Sequence, residues 1–445
     1  MAGTENIDLE AVKRFAVDSL NFSECIGTSP FTVGWLLKAL EANDETFRGI
    51  ADKQHKVKRA LEANDETFRG IADKQHKVER VSGVDISEGQ GFASKVYQVT
   101  LSYHDRDPHY VILKVPEIEC FINTTEAATD QEAKCAAEKL AFAHNAECDF
   151  YNRFADQIDI PMVKVFKTVD WIVGKQRGAI LMESLAQNGA SQHFWSGASL
   201  QQSKTIAKHM ATLSTHFLCL PQDQWAGKYP NVQLDSMVSH IRPLLTALSY
   251  MKPGVFDEGI KTLDKLWDNN KFCKYAMLDV YKDAGLPLTI CHGDLHLNNV
   301  IWQKNTDGSA SKDVAGIIDW QVVHEGCLTT DLTRFLVLCV DAEIRREHEF
   351  EILQYYYDTI VALLEKQNKL VAFTFEQVKY AFKVNFVIYA VQVMIICPFL
   401  YSGAGWTPKE VPVKSAQKEK MLLRAQLALE DALEYLKEIP EEKYL

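Results

Sequence analysis

The sequence predicts an α+β chain, with a small sheet-rich region followed by a larger helical one. Three observations point there. Short β-branched and aromatic runs separated by turn residues occupy the stretch after residue 80, and helix-period segments dominate beyond Ser191. The densest polar cluster, Leu288 to Asp319, lies between two short apolar runs that interrupt the helical part.

The expected organisation is an amino-terminal helical segment over 1–80, a sheet-rich region over 81–185 and a helical region over 186–445. In the first, Ala39 to Val57 recurs letter for letter as Ala60 to Val78, a period of 21 residues. Solenoids need three or more drifting copies, so two identical ones read as a duplication or a gene-model error. Removing Ala60 to Val78 is expected to leave the fold intact. Strands are expected over Val84 to Glu88, Lys95 to Ser102 and His109 to Val115, with Gly89, Gly91 and the Asp105 to Pro108 turn as punctuation. A helix is expected over Gln131 to Asp156, then strands over Met162 to Thr168 and Arg177 to Glu183. Helical spacing marks Leu200 to Leu218, Phe350 to Leu370 and Thr374 to Ile396, the last opened by a Thr374/Gln377 capping box.

Composition narrows the function classes. Lys+Arg number 48 against 60 Asp+Glu, a net charge of -12, and no basic patch suited to nucleic acid stands out. Ten scattered cysteines without a C-x-x-C pair favour reduced thiols and a cytoplasmic setting. The start of the chain lacks a signal-peptide pattern. The apolar run Phe386 to Leu400 is interrupted by Gln392 and Pro398 and reads as a buried helix rather than a membrane span.

The chemistry concentrates in Cys291-His-Gly-Asp-Leu-His-Leu-Asn-Asn-Val-Ile-Trp302 and Gly316-Ile-Ile-Asp-Trp320. An apolar strand delivers Asp294, Asn299 lies five residues on, and a second strand delivers Asp319. A carboxylate and an amide oxygen (Asp319, Asn299) suit Mg²⁺, and Asp294 is placed to orient an attacking hydroxyl. The competing reading is that Asp294 and Asn299 only satisfy turn backbone. His292 and His296, four apart, have zinc-like spacing, but Gly293 stands where H-E-x-x-H needs Glu; His292 reads as a loop brace. Upstream, the backbone of Gly89-Gln-Gly-Phe-Ala-Ser94 is suited either to a triphosphate or to a plain hairpin turn. Lys114, a charge inside an apolar strand, requires a partner. Glu147 is chosen over Glu132 and Glu138 because Phe150 and Tyr151 set it beside an apolar face.

In this order, these motifs resemble the protein-kinase-like superfamily in its aminoglycoside and choline phosphotransferase branch. They are most similar to the ecdysteroid-kinase-like (CHK kinase-like) group, from about Val81 onward. The resemblance implies a bilobal fold with an ATP-binding N-lobe and a helical C-lobe. It implies ATP contacts at Gly89, Gly91, Ser94, Lys114 and Glu147, with adenine at a hinge formed by Met182, Glu183 and Ser184. Mg²⁺ would lie on Asn299 and Asp319, and catalysis on Asp294 and His292, with Asp331 supporting the loop; a helix cap is the other reading of Asp331. The departures from protein kinases are Gly293 for Arg and Trp320-Gln321 for Phe-Gly. The implied activity is transfer of phosphate to a small-molecule alcohol, steroid-like or xenobiotic. A choline or ethanolamine kinase using Tyr355 to Tyr357 with Asp341 and Glu343, or a pseudokinase, are the rivals.

Overall fold

A computed structural model of the chain describes residues 12–49, 76–87, 94–104, 106–117, 130–231, 234–267, 270–401 and 406–444. The chain divides into two units, Met1–Arg153 with Val163–Gln187, and Phe154–Met162 with Asn188–Leu445.

The first unit is built on an antiparallel sheet in the order β1-β2-β3-β5-β4. The strands are β1 (Val78–Asp85), β2 (Ser94–Tyr103), β3 (His109–Pro116), β4 (Val165–Val169) and β5 (Ala179–Glu183). Val111, Leu113 and Val115 of β3 join Val99 and Leu101 of β2 in one apolar core with Leu36, Leu37 and Leu40 of α1 (Val33–Asn43). Each such side chain contributes about 1.5–3 kcal/mol on burial. The two-residue strand period then puts Lys114 on the opposite sheet face, away from that apolar cluster.

β1 begins earlier than the sequence predicts, at Val78 rather than Val84. It is an edge strand with only Val78 and Val81 buried, so it carries almost no alternation to read. The first copy of the repeat is not a separate segment. Ala39, Leu40 and Phe47 are buried in the core of this unit. Asp44 Oδ1 accepts from the N–H groups of Thr46 (2.8 Å) and Phe47 (3.2 Å), and its Oδ2 lies 2.9 Å from His109 Nε2 on β3. Most of the second copy lies outside the described residues, as do Gly89 and Gly91.

The second unit carries a three-stranded sheet of β6 (Gly189–Ser191), β8 (Val300–Lys304) and β9 (Ala310–Ile317), and a pair of β7 (Leu288–Cys291) with β10 (His324–Cys327). Its helices of eight or more residues are α3 (Leu200–Cys219), α4 (Leu234–Met251), α5 (Asp257–Asp264), α6 (Thr330–Cys339), α7 (Ala342–Lys366), α8 (Phe375–Tyr401) and α9 (Val411–Leu436); α2 (Asp130–Phe154) belongs to the first unit except for its last residue. The α+β class expected from the sequence, sheet first and helices after, is the class observed. α7 starts eight residues before the predicted Phe350, because Arg345 and Glu349 in its polar first turns are buried as a pair at 2.7 Å. Thr374 and Gln377 do form the box that opens α8: Thr374 N donates to Gln377 Oε1 at 2.7 Å and Gln377 N to Thr374 Oγ1 at 3.4 Å. At 27 residues, α8 is longer than its apolar run suggests, long and apolar enough to cross a membrane by length and composition. Yet 72% of its most apolar window is buried inside the protein.

The start of β1 fixes how the repeat can be excised. Ala39–Arg59 and Ala60–Arg80 differ only at Lys58 against Glu79, so the unit to remove is the whole 21-residue period Ala60 to Arg80, not Ala60 to Val78. Val57-Lys58-Arg59 then replaces Val78-Glu79-Arg80 at the strand's start, with Val57 in the buried position. Thermal denaturation of this deletion is expected to give a cooperative transition within a few degrees of the full chain, whereas aggregation on expression would show that the second copy is needed.

Candidate active site

In the first unit, Lys114 stands mid-strand in β3, paired with Val96 of β2 and Ile180 of β5. Its Nζ donates to Glu147 Oε2 of α2 at 2.7 Å; the two side chains are 8% and 1% exposed. Breaking such a buried pair costs about 3–5 kcal/mol, because the remaining charge is left in a poor dielectric. The helix is held in register by the residues just before Glu147. Asn145 Oδ1 accepts from Trp171 N (2.8 Å) and its Nδ2 donates to Trp171 O (3.1 Å). The His144 ring bonds Val169 O through Nε2 at 2.9 Å. A Cβ on Gly178 would come 2.5 Å from that same nitrogen, so the glycine admits the ring. Burial pushes His144 down to about 4, against the pull of its bond to Val169, with the Lys114 charge adding to the fall.

Of the expected hinge, Met182 is in β5, paired with Ile112 and Val165. The Glu183 N–H donates to Lys164 O (2.9 Å) and its Oε1 accepts from Lys164 N (2.7 Å). That N–H is therefore not available to an adenine edge. Ser184 Oγ accepts from Ala186 N at 3.4 Å. Ser94 is buried as the first residue of β2, opposite Pro116.

In the second unit, the loop from Cys291 to Val300 is anchored at two buried points. Asp331, in the first turn of α6, accepts the N–H of His292 on Oδ2 (2.7 Å) and of Gly293 on Oδ1 (2.9 Å). Asp331 is thus a cap, but for the loop rather than for its own helix. Gly293 has φ +81°, and an added Cβ would lie 2.3 Å from Val322 O, so both backbone conformation and space require glycine. His292 accepts Asp294 N–H on Nδ1 (3.2 Å) and lies 3.0 Å from Ile318 O through Nε2. With Nδ1 an acceptor, the proton sits on Nε2, and burial pushes the ring's pKa down, outweighing the nearby carboxylates. One neutral imidazole thus ties Asp294 to the residue before Asp319. Both ring nitrogens are engaged, which excludes His292 as a zinc ligand. No cluster of three or more potential His, Cys, Asp or Glu ligands exists among the described residues.

Asn299 is buried and directs Nδ2 at Asp294 O (3.0 Å), which leaves Oδ1 as the amide's ligand atom. Its own carbonyl accepts from Ile318 N at 3.0 Å, a second tie between the loop and the end of β9. Asp319 comes next with φ +67°, a left-handed conformation that Asp tolerates better than most residues and that often marks functional sites.

Sequence reasoning missed Arg334. Its Nη2 donates to Asp294 Oδ1 in a short ion pair, and its Nη1 to Gln392 Oε1 at 2.6 Å. Burial alone would raise the Asp294 carboxyl, but the Arg334 charge, with the His296 ring beside it, holds it well below the usual carboxylate range. The signal is present in the sequence: a charge within Leu332-Thr-Arg-Phe-Leu-Val-Leu338 is the same anomaly that singles out Lys114.

The first unit thus holds a buried lysine–glutamate pair on a five-stranded sheet, and the second an aspartate-anchored loop. The chain belongs to the DUF1679 family, described as "Uncharacterized oxidoreductase dhs-27", whose profile matches residues 65–439. The match starts within the second repeat copy, earlier than the Val81 expected from the motifs. The chain is similar to the protein of that name from Caenorhabditis elegans, 28% identical over 317 residues, which are 69% of this chain and 38% of the relative. It is also similar to "Uncharacterized kinase-like protein D1044.1" of the same organism, 32% identical over 102 residues, 23% of this chain and 25% of the relative. The matches thus span well under half the length of either relative. A choline kinase structure from Cryptosporidium parvum Iowa II is similar at 10% identity and TM-score 0.46, covering 82% of this chain and 91% of that one.

Asp331→Ala leaves two loop N–H groups without their acceptor and is expected to lower the unfolding free energy by about 2–5 kcal/mol in urea titrations, while Asp331→Asn loses less. For His144, the folded ring has the lower pKa, so the unfolded state binds the proton first as pH falls. Stability is unaffected above pH 6.5 and is lost progressively towards about 4, by on the order of 3 kcal/mol. Urea titrations at pH 7.5 and 5.0 should show about 2 kcal/mol of this loss, and less in His144→Gln.

Proposed function

We propose that the chain is an ATP- and Mg²⁺-dependent phosphotransferase acting on the hydroxyl of a small molecule. The observation that carries this reading is the loop in which one buried helix holds both its backbone, through Asp331, and its carboxylate Asp294, through Arg334. Phosphoryl transfer asks a protein mainly for positioning and charge stabilisation, and this loop is built to position.

Each residue then has a role. Lys114, held by Glu147, pairs with nucleotide phosphates. Asn299 Oδ1 and Asp319 supply hard oxygen ligands of the number and kind Mg²⁺ takes alongside phosphates and water. The ion's part would be to offset charge on the transferred group. Asp294, kept ionised, accepts a hydrogen bond from the incoming hydroxyl and aligns it. His292 keeps the loop and the Asp319 turn together and takes no proton.

Three of the five residues offered for the rival choline-type reading, Asp341, Tyr356 and Tyr357, are engaged within the protein. Asp341 accepts from Arg424 Nη2 (2.6 Å) and pairs with Lys420 Nζ (2.8 Å). Tyr356 is buried and donates to Leu328 O, and Tyr357 donates to Phe373 O. We take the acceptor to be a neutral alcohol, steroid-like or xenobiotic. The word oxidoreductase in the family description belongs to a relative of which the match covers 38%, and the loop's arrangement gives it no support here.

Asp294→Ala is expected to reduce phosphate transfer by three orders of magnitude or more while changing ATP affinity by less than about threefold. The measurement is purified protein with ATP, Mg²⁺ and a metabolite extract, with phosphorylated products found by mass spectrometry and ATP affinity by calorimetry. Full turnover by the variant would remove Asp294 from the mechanism; ATP binding without any product would leave a pseudokinase.

A further inference from the structure

Arg334 lies on α6 one turn beyond Asp331, 8% exposed in a helix whose ten residues are all buried. Its guanidinium is fixed from three directions. Nη2 donates to Asp294 Oδ1, Nη1 donates to Gln392 Oε1 at 2.6 Å, and the Cζ atom lies 5.7 Å from the centroid of the Tyr389 ring. Gln392 and Tyr389 belong to α8, so the polar break in that apolar helix exists to hold this arginine. Asp294 itself remains 25% exposed, with Asn299 Nδ2 3.4 Å and His296 Nε2 3.5 Å from Oδ2.

We propose that Arg334 is a specificity-determining and positioning residue, which rests on the phosphotransferase reading. It holds Oδ1, so that Oδ2 is the oxygen presented to the acceptor. It also cancels the charge of the loop carboxylate, so that a cationic alcohol is left with the cost of shedding its water uncompensated and is disfavoured against an uncharged one of the same shape. A planar guanidinium bonding in two directions does both; a lysine ammonium supplies the charge but not the fork. Without the arginine, Asp294 would face an ammonium some 6 Å away as a bare anion, an attraction that at an effective dielectric near 20 amounts to about a hundredfold in selectivity. Asp341, one of the acidic side chains offered for a cationic acceptor, is itself paired with Lys420 and Arg424.

The test uses two isosteric alcohols that differ in one charge, 3,3-dimethylbutan-1-ol and choline, with ADP release followed in the wild type, Arg334→Gln and Arg334→Lys. The wild type is expected to use the neutral alcohol at least tenfold better in kcat/KM. Arg334→Gln should lower that ratio tenfold or more, through a fall in KM for choline, and Arg334→Lys should keep the ratio while losing kcat. A wild-type preference for choline, or the same ratio in wild type and Arg334→Gln, overturns the inference and leaves the phosphotransferase reading standing. If Arg334→Gln does not fold, a wild-type ratio below about threefold overturns it. Absence of ADP release with both alcohols, in protein that ATP stabilises thermally, removes the phosphotransferase reading and this inference together.

Discussion

The two hydrogen bonds from His292 and Gly293 to the Asp331 carboxylate organise everything around the loop. A buried carboxylate costs several kcal/mol unless it is bonded, and backbone N–H groups in a tight loop cost about as much if they are left without partners. Each solves the other's problem. The bonds are charge-assisted and cannot be replaced by water, since Asp331 is 4% exposed. Gly293 is the consequence in sequence. A chain that folds back closely enough to give two successive N–H groups to one carboxylate adopts φ +81° there and has no room for a side chain against Val322 O.

α6 is the element that makes this possible, and it is an unusual helix. All ten of its residues are buried, two of them charged. Its amino end gives Asp331 to the loop backbone, and its next turn gives Arg334 to Asp294. At its other end the orphan carbonyl of Leu338 is met by Arg424 Nη1 (2.6 Å), while Arg424 Nη2 reaches Asp341 (2.6 Å). A cation at a helix carboxyl end is favourable on dipole grounds as well. The helix is thus a rigid bar with charge fixed at both ends, and the loop inherits that rigidity.

Much of this is legible in the sequence, for identifiable reasons. Strands β2 and β3 and helix α3 carry strong periodicity, and their limits can be read to within a residue or so. Lys114 is legible because charge inside an apolar strand is improbable without a partner, and Glu147 because one candidate glutamate alone lies beside aromatic residues. What fails to show is structure whose stabilisation is not periodic. β1 is an edge strand with two inward side chains. The amino-terminal segment reads as separate because nothing local says that Leu36, Leu40 and Phe47 pack on a sheet that begins thirty residues later. The start of α7 is hidden because its buried residues are an arginine and a glutamate. Arg334 escapes because charge inside an apolar run is a weaker anomaly in a helix, where one polar face is normal, than in a strand buried on both sides.

The low pKa of Asp294 changes what role that carboxylate can have under the phosphotransferase reading. A general base is most effective when its pKa lies near the working pH. Arg334, with His296 beside it, holds Asp294 far below that, so it accepts a hydrogen bond readily and a proton reluctantly. That is a handicap only if the proton must leave early. In a loose transition state the bond to the departing phosphate is largely broken before the new one forms, and the acceptor hydroxyl keeps its proton until late. At that stage the oxygen is already bonding to phosphorus and its proton is far more acidic than in the free alcohol. A weak, rigidly held acceptor then suffices, and its value lies in aiming the lone pair of the hydroxyl. The arginine that weakens Asp294 as a base is the same group that fixes its direction, so the two effects come from one contact and are coherent rather than opposed.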